Sequence, residues 1–337
     1  MNILFTCAGR RNYLIRFFRE ALRGSGKVVA ADANLQAPAM AEADAAELVP
    51  EVYAEDYADR LLEICAVHDV RAVIPLNDLD LPVLSAAKSR FLERGIVPVV
   101  SEPDVVDLCF DKWKTAQFLR DAGLQTPKTF KSLDTALDAV ATGELCFPLF
   151  VKPRWGSGSI GVGFVDDRRE LELAHPLTLS KIRRSILNRA SEEDKEHAVL
   201  IQEKITGTEF GLDVVNDLNG RYAATITKQK LAMRAGETDR AVTVSHATLT
   251  NIGQTLGTSL RHIANLDCDV FEKDGRFYVL ELNPRFGGGY PFSHLAGANV
   301  PAAILCWLQN RRPDGRYFHF EAGRAFSKCD TLIEIHQ

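Results

Sequence analysis

The chain has 337 residues, of which 46% are hydrophobic and 25% charged, an ordinary balance for a globular protein. Its formal net charge of −5 argues against a nucleic acid as main partner, and no apolar run approaches the roughly 18 residues of a membrane span. The first residues have the pattern of a buried strand instead of a signal peptide, and the seven cysteines are scattered without a CxxC pair. We therefore expect a cytoplasmic protein that binds neither nucleic acid nor membrane.

Short apolar strands alternate with helical patterns over about the first hundred residues. The predicted strands are residues 3–6, 28–31, 72–75 and 97–100, with a helix at about 12–22. Strands separated by single helices predict a parallel sheet covered on both faces, whose ligands gather at the carboxyl ends of the strands. The polar residues at those ends, which could contact an acceptor substrate, are Arg10, Arg11, Asp32, Asn77 and Asp78.

Two further regions follow. A helix is predicted from Asp111, a candidate N-cap, to a stop at Gly123. The next elements are a strand at 149–152, a glycine-rich turn at 156–163, a polar helical stretch at 168–197 and a strand at 198–203. Past Gly207, alternating patterns predict strands at 209–216, 221–231, 267–273 and 276–282, with a helix at about 250–265. Asp274-Gly275 is a strong hairpin signal between the last two strands.

The most informative segment runs from Asp269 to Arg285. Pairing across the Asp274-Gly275 turn brings Asp269 close to Glu281, and period-two alternation puts Glu281 and Asn283 on one face. Three oxygen-bearing side chains then converge on an otherwise apolar face, and the two carboxylates among them need a cation or a proton. Mg²⁺ that shares its other positions with nucleotide phosphates fits this set. The alternative is that Asp269 and Glu281 are exposed strand residues and Asn283-Pro284 is a turn.

Lys152 lies on an apolar strand and is followed at once by a turn containing Gly156, Gly158 and Gly161. A buried lysine needs an anionic partner, and glycines let backbone N–H groups approach phosphate oxygens. The spacing is neither that of a P-loop, because the lysine precedes the glycines, nor that of the dinucleotide fingerprint, because no helix follows. The alternative is an ordinary Gly-Ser hairpin.

A third apolar strand runs into the linker Gln202-Glu203-Lys204-Ile205, whose backbone could meet an adenine edge. Glu209 could accept hydrogen bonds from ribose hydroxyls, although such acidic residues are more often solvated. Asp213 shares a face with Glu209 and is either a supporting group behind the site or a surface residue, with the surface position favoured.

Taken in chain order, these elements resemble the ATP-grasp superfamily, in particular the carbamoyl phosphate synthetase-like branch and the related stand-alone carboxylate–amine ligases. The resemblance covers nearly the whole chain, and Glu281-Leu-Asn-Pro-Arg285 with an acidic residue on the preceding strand is its most specific part. It implies an α/β fold that is α+β in its C-terminal part. The implied units are a Rossmann-like domain at 1–108, a small central lid domain at 109–205 and a C-terminal antiparallel-sheet domain at 206–337.

The resemblance also implies roles for individual residues. The implied ATP contacts are Lys112, Lys152, the lid residues Gly156, Ser157, Gly158, Ser159 and Gly161, the hinge residues Gln202, Glu203, Lys204 and Ile205, and Glu209 and Lys230. The implied magnesium ligands are Asp269, Glu281 and Asn283, where Mn²⁺ could replace Mg²⁺. Arg285, Lys152 and Arg234 are the residues expected to act in catalysis, with Arg285 steadying an acyl phosphate.

Basic residues cluster on and after the strand at 221–231, namely Lys228, Lys230, Arg234 and Arg240. A flexible loop around Gly236 with arginines suits bidentate capture of a carboxylate or phosphate, while the alternative is a solvated basic loop. In the family this region faces the reacting centre, so Arg234, Arg240 and Arg285 are expected to contact substrate. His294 is a further candidate, although a lone histidine is more often structural.

Two departures from the family pattern bear on the function. The first metal ligand is Asp269 where many relatives have Glu or Gln, and its shorter arm would shift the ion or leave a water between. We see no duplicated half and no amidotransferase region, so carbamoyl phosphate synthesis itself is not expected.

The sequence thus predicts a ligase that joins a small carboxylate to an amine or similar nucleophile through an acyl phosphate, with a homodimer as one option for its assembly. An ATP-binding sensor without turnover and, less favoured, an NAD(P)-dependent oxidoreductase are the alternatives. The turn Cys7-Ala-Gly-Arg-Arg11 lacks the G-x-G-x-x-G pattern that the oxidoreductase would need.

Overall fold

The structure, a computed structural model, describes residues 1–156 and 161–334. A first sheet consists of β1 (Asn2–Thr6), β2 (Val28–Asp32), β3 (Ala45–Leu48), β4 (Val70–Pro75) and β5 (Val97–Pro98). Its helices are α1 (Asn12–Leu22), α2 (Pro38–Glu42), α3 (Tyr57–Val67), α4 (Asp80–Ala86) and α5 (Lys88–Leu92). The order β3-β2-β1-β4-β5 is parallel throughout, which confirms the predicted parallel sheet. The edge strand β3 escaped prediction because its residues alternate between half-buried and exposed positions without an apolar run.

Two helices, α6 (Pro103–Phe110) and α7 (Lys112–Asp121), follow the first sheet. As predicted, Asp111 caps α7, since its carboxylate accepts hydrogen bonds from the backbone N–H groups of Trp113 (2.9 Å) and Lys114 (3.3 Å). Gly123 takes a left-handed conformation with φ of 73° just beyond the helix, as expected of a C-terminal stop.

A second, antiparallel sheet has the order β6-β9-β7-β8. Its strands are β6 (Thr129–Phe130), β7 (Leu149–Pro153), β8 (Gly163–Val165) and β9 (Val199–Glu203). Its helices are α8 (Leu133–Ala141), α9 (Arg168–Arg183) and α10 (Leu187–Ala190). Helices α9 and α10 occupy much of the stretch that the sequence predicted as a polar helix.

A third, antiparallel sheet has the order β14-β13-β10-β11-β12-β15. Its strands are β10 (Thr208–Asn216), β11 (Tyr222–Arg234), β12 (Glu237–Thr243), β13 (Ala264–Lys273), β14 (Arg276–Asn283) and β15 (Ala325–Ser327). Its helices are α11 (Ala247–Leu260), α12 (Tyr290–Leu295) and α13 (Val300–Leu308), with a 3-10 helix at Gly315–Phe318. Asp274 and Gly275 have φ values of 52° and 75°, so both adopt the left-handed conformation of a tight hairpin turn.

The prediction of a flexible loop around Gly236 is wrong. Ala235 and Gly236, with φ of 50° and 79°, form a turn between β11 and β12, and β12 pairs with β15 on its other side. Thr238, Ala241 and Thr243 are buried, and the alternation of buried and more exposed residues is that of a strand with one covered face. Helix α11 also begins and ends earlier than the predicted 250–265, which lets β13 extend back to Ala264.

The first and third sheets share a hydrophobic core. In it, aromatic rings form a continuous series from Phe5 and Phe18 (centroids 5.0 Å apart) through Phe286 (6.0 Å from Phe18) to Tyr290 (4.7 Å from Phe286). A separate core joins Cys109 and other residues of the α6–α7 region to the third sheet. Phe286 packs in the shared core and so anchors the loop that carries Arg285. The division at residues 108 and 205 stays a prediction.

Candidate active site

A cavity of about 260 Å³ lies between the second and third sheets. Its polar lining includes Lys112, Lys152, Gln202, Glu203, Glu209, Asp269 and Glu281. Its apolar lining includes Phe150, Val162, Ile205, Met233, Phe271 and Leu280. One cavity therefore brings together lysines on the side of the second sheet, carboxylates on the third sheet, and an apolar wall of the kind that an aromatic ring can contact.

Lys152 is buried on β7 at the edge of this cavity. Its Nζ donates to Oε1 of Gln202 (2.7 Å), and Nε2 of Gln202 donates to the hydroxyl of Thr129 (2.8 Å). Burial and, to a lesser extent, the nearby Lys112 lower the pKa of Lys152 to about 8, while Glu281 acts in the opposite direction. Because this buried ammonium forms no ion pair with any residue of 1–156 or 161–334, it favours the binding of an anion. Gln202, which the resemblance assigns to the adenine hinge, holds Lys152 through its side chain.

Lys112 is fixed at the start of α7 by a buried ion pair. Arg154 donates through Nε and Nη2 to the two carboxylate oxygens of Asp111 (2.8 and 2.6 Å), while the backbone N–H of Lys112 donates to the carbonyl of Arg154 (3.1 Å). The Lys112 Nζ donates to the carbonyl of Gly156. Because Arg154 follows β7 directly, the end of one strand positions both predicted phosphate-binding lysines.

The glycine-rich turn requires glycine at both of its described ends. Gly156 and Gly161 have φ values of 98° and 72°, where residues with a Cβ are strained. A Cβ on Gly156 would also lie 2.6 Å from a methyl group of Leu187. The predicted lid residues Ser157, Gly158 and Ser159 lie outside the described residues.

The predicted metal ligands meet on adjacent strands. Asp269 on β13 pairs directly with Glu281 on β14, and Asn283 is two pairs further along, opposite Asp267. The Nδ2 of Asn283 donates to Oε1 of Glu281 (3.3 Å). Directly paired and alternate residues point to the same face, so the four side chains form one oxygen-rich surface.

Lys230 on β11 is the cation nearest to this surface. Its Nζ lies 2.6 Å from Oδ1 of Asp269 and 2.8 Å from Oε1 of Glu209, in a buried position. Burial alone would lower the pKa of Lys230, but Asp269 and Glu209 raise it above its ordinary value. The pKa of Asp269 is raised by burial and by its carboxylate neighbours Asp267 and Glu281, against the effect of Lys230.

This group of half-buried carboxylates fits a divalent cation. Within residues 1–156 and 161–334, no three His, Cys, Asp or Glu side chains form a metal site by themselves. The predicted set is instead two carboxylates and an amide, which leaves other positions of a Mg²⁺ ion to phosphate and water oxygens. The donor set therefore suits a cation that arrives with a nucleotide.

The linker between the second and third sheets borders the apolar wall of the cavity. Ile205 is buried there, and the Nζ of Lys204 lies 4.1 Å from the ring centroid of Phe164. The backbone N–H of Glu203 donates to the carbonyl of Lys128 (2.8 Å). Three of the four residues predicted as an adenine hinge, Gln202, Glu203 and Lys204, are thus held by contacts in or next to the second sheet.

Arg285 is buried just beyond β14 and lies between two carboxylates. Its Nη2 is 2.6 Å from Oδ2 of Asp78, and its Nη1 is 3.0 Å from Oδ2 of Asp267. Sequence reasoning did not single out Asp267, although it lies two residues before Asp269 on the same face. Asp78 was interpreted as a possible substrate contact, whereas in the structure it is an ion-pair partner of Arg285.

The remaining predicted substrate residues have other surroundings. Arg234 is exposed and forms ion pairs with Asp239 (3.0 Å) and Asp330 (2.8 Å), and Arg240 is exposed on β12. The ring of His294 stacks on Phe17 with centroids 3.7 Å apart, and burial lowers its pKa to about 4. Their roles in substrate binding stay predictions.

Two residues of the third sheet differ from the sequence interpretation. Asp213, favoured as a surface residue, is completely buried, and its carboxylate lies 2.6 Å from the Nζ of Lys228. Ser293 on α12 hydrogen-bonds both groups. Lys228 therefore belongs to a buried ionic network and not to a basic substrate loop.

The fold thus brings lysines and paired carboxylates to one cavity between two antiparallel sheets. Residues 109–289 match the family model described as the ATP-grasp domain, and the chain belongs to the ATP-grasp family. Residues 3–100 match the model described as the PylC-like N-terminal domain. No helix among residues 1–156 and 161–334 is long and apolar enough to span a membrane.

Curated relatives in sequence are large chains of carbamoyl phosphate synthase. The one from Xylella fastidiosa (strain 9a5c) is 25% identical over 332 residues, which cover 88% of this chain and 29% of that protein. The one from Mycobacterium sp. (strain JLS) is 26% identical over 227 residues, or 64% of this chain and 19% of that protein. The chain thus spans less than a third of the length of these relatives.

Solved structures with the same fold include three ligases or carboxylases. Biotin carboxylase from Campylobacter jejuni has a TM-score of 0.74 at 16% identity, covering 95% of this chain and 73% of that chain. N5-carboxyaminoimidazole synthetase from Staphylococcus aureus complexed with ADP has a TM-score of 0.70 at 14% identity, with coverage of 93% and 78%. L-amino acid ligase from Bacillus licheniformis has a TM-score of 0.64 at 22% identity, with coverage of 96% and 78%. At these identities the likeness establishes the fold alone.

Proposed function

We propose that this protein is an ATP- and Mg²⁺-dependent ligase that activates a substrate carboxylate as an acyl phosphate and joins it to an amine. The observation that carries the proposal is the arrangement across one cavity. Lys112 and Lys152 lie on one side, and the paired carboxylates Asp269 and Glu281 lie on the other. Membership of the ATP-grasp family supports ATP-dependent ligation as the general activity.

The nucleotide would lie along the cavity between the second and third sheets. Its adenine fits the apolar wall formed by Ile205, Phe271 and neighbouring residues, and Glu209 is available to the ribose hydroxyls. The two lysines would neutralise phosphate oxygens, and the turn beginning at Gly156 would cover them. Closure over the phosphates would exclude water and so protect a hydrolysable acyl phosphate.

Asp269, Glu281 and Asn283 would hold the Mg²⁺ ion, which would neutralise phosphate charge during transfer. These three side chains suit the role because two half-buried carboxylates held together favour a cation and the amide adds a neutral oxygen. Their pairing across β13 and β14 would position these ligands before the nucleotide arrives.

The reaction would proceed in two steps. A substrate carboxylate oxygen attacks the γ-phosphorus of ATP, so ADP leaves and an acyl phosphate forms. The amine nitrogen then attacks the acyl carbon, which expels inorganic phosphate and, after loss of a proton, leaves an amide. Arg285 would stabilise negative charge on the acyl phosphate, and the remainder of catalysis is positioning and charge neutralisation.

The test is ADP formation with Mg²⁺ and ATP against a panel of carboxylates, each with and without amines. We expect turnover that depends on both an organic carboxylate and an amine. Mass spectrometry should show a product whose mass is the sum of the carboxylic acid and the amine minus one water. Glu281→Gln should abolish turnover while circular dichroism remains unchanged. Tight nucleotide binding without turnover on any combination would favour the ATP-binding sensor and contradict the ligase.

A further inference from the structure

The orientation of Arg285 depends on two carboxylates from different sheets. Asp267 belongs to β13, whereas Asp78 follows β4 in the first sheet. Each of the two terminal nitrogens of the guanidinium contacts one carboxylate, and Nη1 also donates to the carbonyl of Phe286 (3.3 Å). Because the guanidinium is planar, these contacts on both terminal nitrogens fix its plane. Among the described residues, the buried Nε has no partner.

The short segment that carries Asp78 is itself held firmly. The backbone N–H of Leu76 donates to the carbonyl of Thr6 (3.2 Å), and the side chain of Asn77 accepts from the N–H of Leu79 (2.9 Å). Immediately beyond it, the completely buried Asp80 accepts hydrogen bonds from the hydroxyls of Tyr57 (2.9 Å) and Thr6. Asp78 is therefore presented on a rigid segment at the carboxyl end of the first sheet.

The segment after β14 is equally constrained from the other side. Arg11 donates to the carbonyl of Phe286 (2.8 Å), and Phe286 is buried in the core shared by the first and third sheets. A Cβ on Gly287 would lie 2.1 Å from the carboxylate of Asp267, so only glycine lets the backbone pass so close to it. The backbone on which Arg285 sits is thus fixed.

Asp78 lies beside the proposed reacting centre as well as beside Arg285. A small cavity is lined by Asp78, Lys112 and Gly156 together with Glu281 and Asn283. Asp78, which is 5% exposed, is therefore close to the predicted metal ligands, and its carboxylate forms an ion pair with Arg285.

We infer that Asp78 is a positioning residue that orients Arg285 toward the acyl phosphate, so that the first sheet contributes to catalysis through an arginine of the third. The inference rests on the proposed function for its catalytic part. Without Asp78, Asp267 would hold only one terminal nitrogen, and the guanidinium could turn away from the productive geometry. Misplacement of a catalytic group by about 1 Å can lower a rate about 100-fold.

The catalytic test compares Asp78→Asn with a matched control, Asp59→Asn. Asp59 lies on α3 beside the first sheet and, like Asp78, forms an ion pair with an arginine, Arg90. Unlike the Asp78–Arg285 pair, this pair is exposed. We expect Asp78→Asn to lower kcat between about 10- and 100-fold while KM for ATP and Kd for Mg·ADP change less than about twofold. Asp59→Asn should match the wild type. A kcat within threefold of wild type, or an equal loss of Mg·ADP affinity, would overturn the inference.

A thermal double-mutant cycle tests the contact without using activity. Asp78→Asn and Arg285→Gln are measured singly and together, with Arg285→Lys as the second variant if the first does not fold. We expect the double variant to lose no more in Tm than Arg285→Gln alone, because the interaction is already lost. Strictly additive losses would overturn the inference. If the wild type turns over no carboxylate, the proposed function fails, while the cycle still decides whether Asp78 and Arg285 are coupled.

Discussion

The lowered pKa of Lys152 makes nucleotide affinity dependent on pH in a way that can be calculated. In the free protein this buried amine has a pKa of about 8, against an ordinary value of 10.5, because burial disfavours its charged form. Phosphates bind the ammonium and not the neutral amine. Nucleotide binding should therefore raise the pKa of Lys152 and draw a proton from solution whenever the amine is neutral beforehand.

The magnitude follows from the shift. We take the pKa of the bound ammonium to be about 10 or more. The Kd for Mg·ADP should then exceed its value at low pH, where Lys152 is fully charged, by a factor of roughly 1 + 10^(pH − 8). The factor is about 1.1 at pH 7 and about 11 at pH 9, so affinity should fall about tenfold between them. At pH 8, binding should take up about half a proton.

Isothermal titration calorimetry measures both quantities. Titrations of Mg·ADP at pH 7, 8 and 9, each in two buffers of different ionisation enthalpy, give the Kd and the number of protons taken up. Lys152→Arg is the control, since a guanidinium stays charged throughout this range and should give a flat profile. A wild-type Kd that is constant from pH 7 to 9, with no proton uptake, would refute the reasoning.

Three further predictions concern buried charge. Arg154→Ala should cost about 3–5 kcal/mol in the free energy of unfolding, measured by urea denaturation, because Asp111 would remain buried without its bidentate partner. Lys228→Met should cost a similar amount by leaving the completely buried Asp213 without a cation. His262 is completely buried with a pKa of about 4, so its contribution to stability is complete above pH 6.5 and is lost as the pH falls toward 4. Urea titrations across that range should show the loss, and His262→Leu should lessen it.

Each of these three has a control within the chain. Arg168→Ala removes an exposed helical pair with Glu172 and should cost about 0.3–0.5 kcal/mol, so an equal cost for Arg154→Ala would contradict its structural role. Lys228→Met combined with Asp213→Leu should recover part of the lost stability, because no unpaired charge remains buried. An acid dependence in His262→Leu as steep as in the wild type would show that other groups dominate.

Regular elements with strong local signals were predictable. The helix at Asn12–Leu22 and the hairpin at Asp274-Gly275 match the structure because an amphipathic pattern and a turn dipeptide each specify local geometry. The strands β3 and β12 were not predicted. β3 has only four residues and no apolar run, and β12 is recognisable only once β11 and β15 pair with it.

The candidate site likewise contains some features that the sequence predicts and others that only the structure reveals. The alternation that places Glu281 and Asn283 on one face, and the short turn that joins the two strands, are visible in the sequence. The direct pairing of Asp269 with Glu281 is not, because it depends on a register shift between Asp269 and Val270, whereas a regular ladder continued from the Lys273–Arg276 pair would place Asp269 opposite Leu280. The ion pairs Asp78–Arg285 and Asp213–Lys228 join residues 207 and 15 positions apart, and only the packing of separate elements brings them together. Glu209 and Asp213 alternate on β10, yet one borders the cavity and the other is completely buried.

The position of Lys230 connects the two halves of the site. In the structure its ammonium donates hydrogen bonds to Oδ1 of Asp269 and Oε1 of Glu209. These are oxygens that the proposed Mg²⁺ ion and the ribose would use. A cation at Asp269 would compete with Lys230 for the same carboxylate, and a displaced ammonium would be free to contact a phosphate oxygen, the role that the resemblance assigns to it. Binding of metal and nucleotide should therefore be mutually favourable, because neither the carboxylates nor the lysine need remain unpaired at any stage.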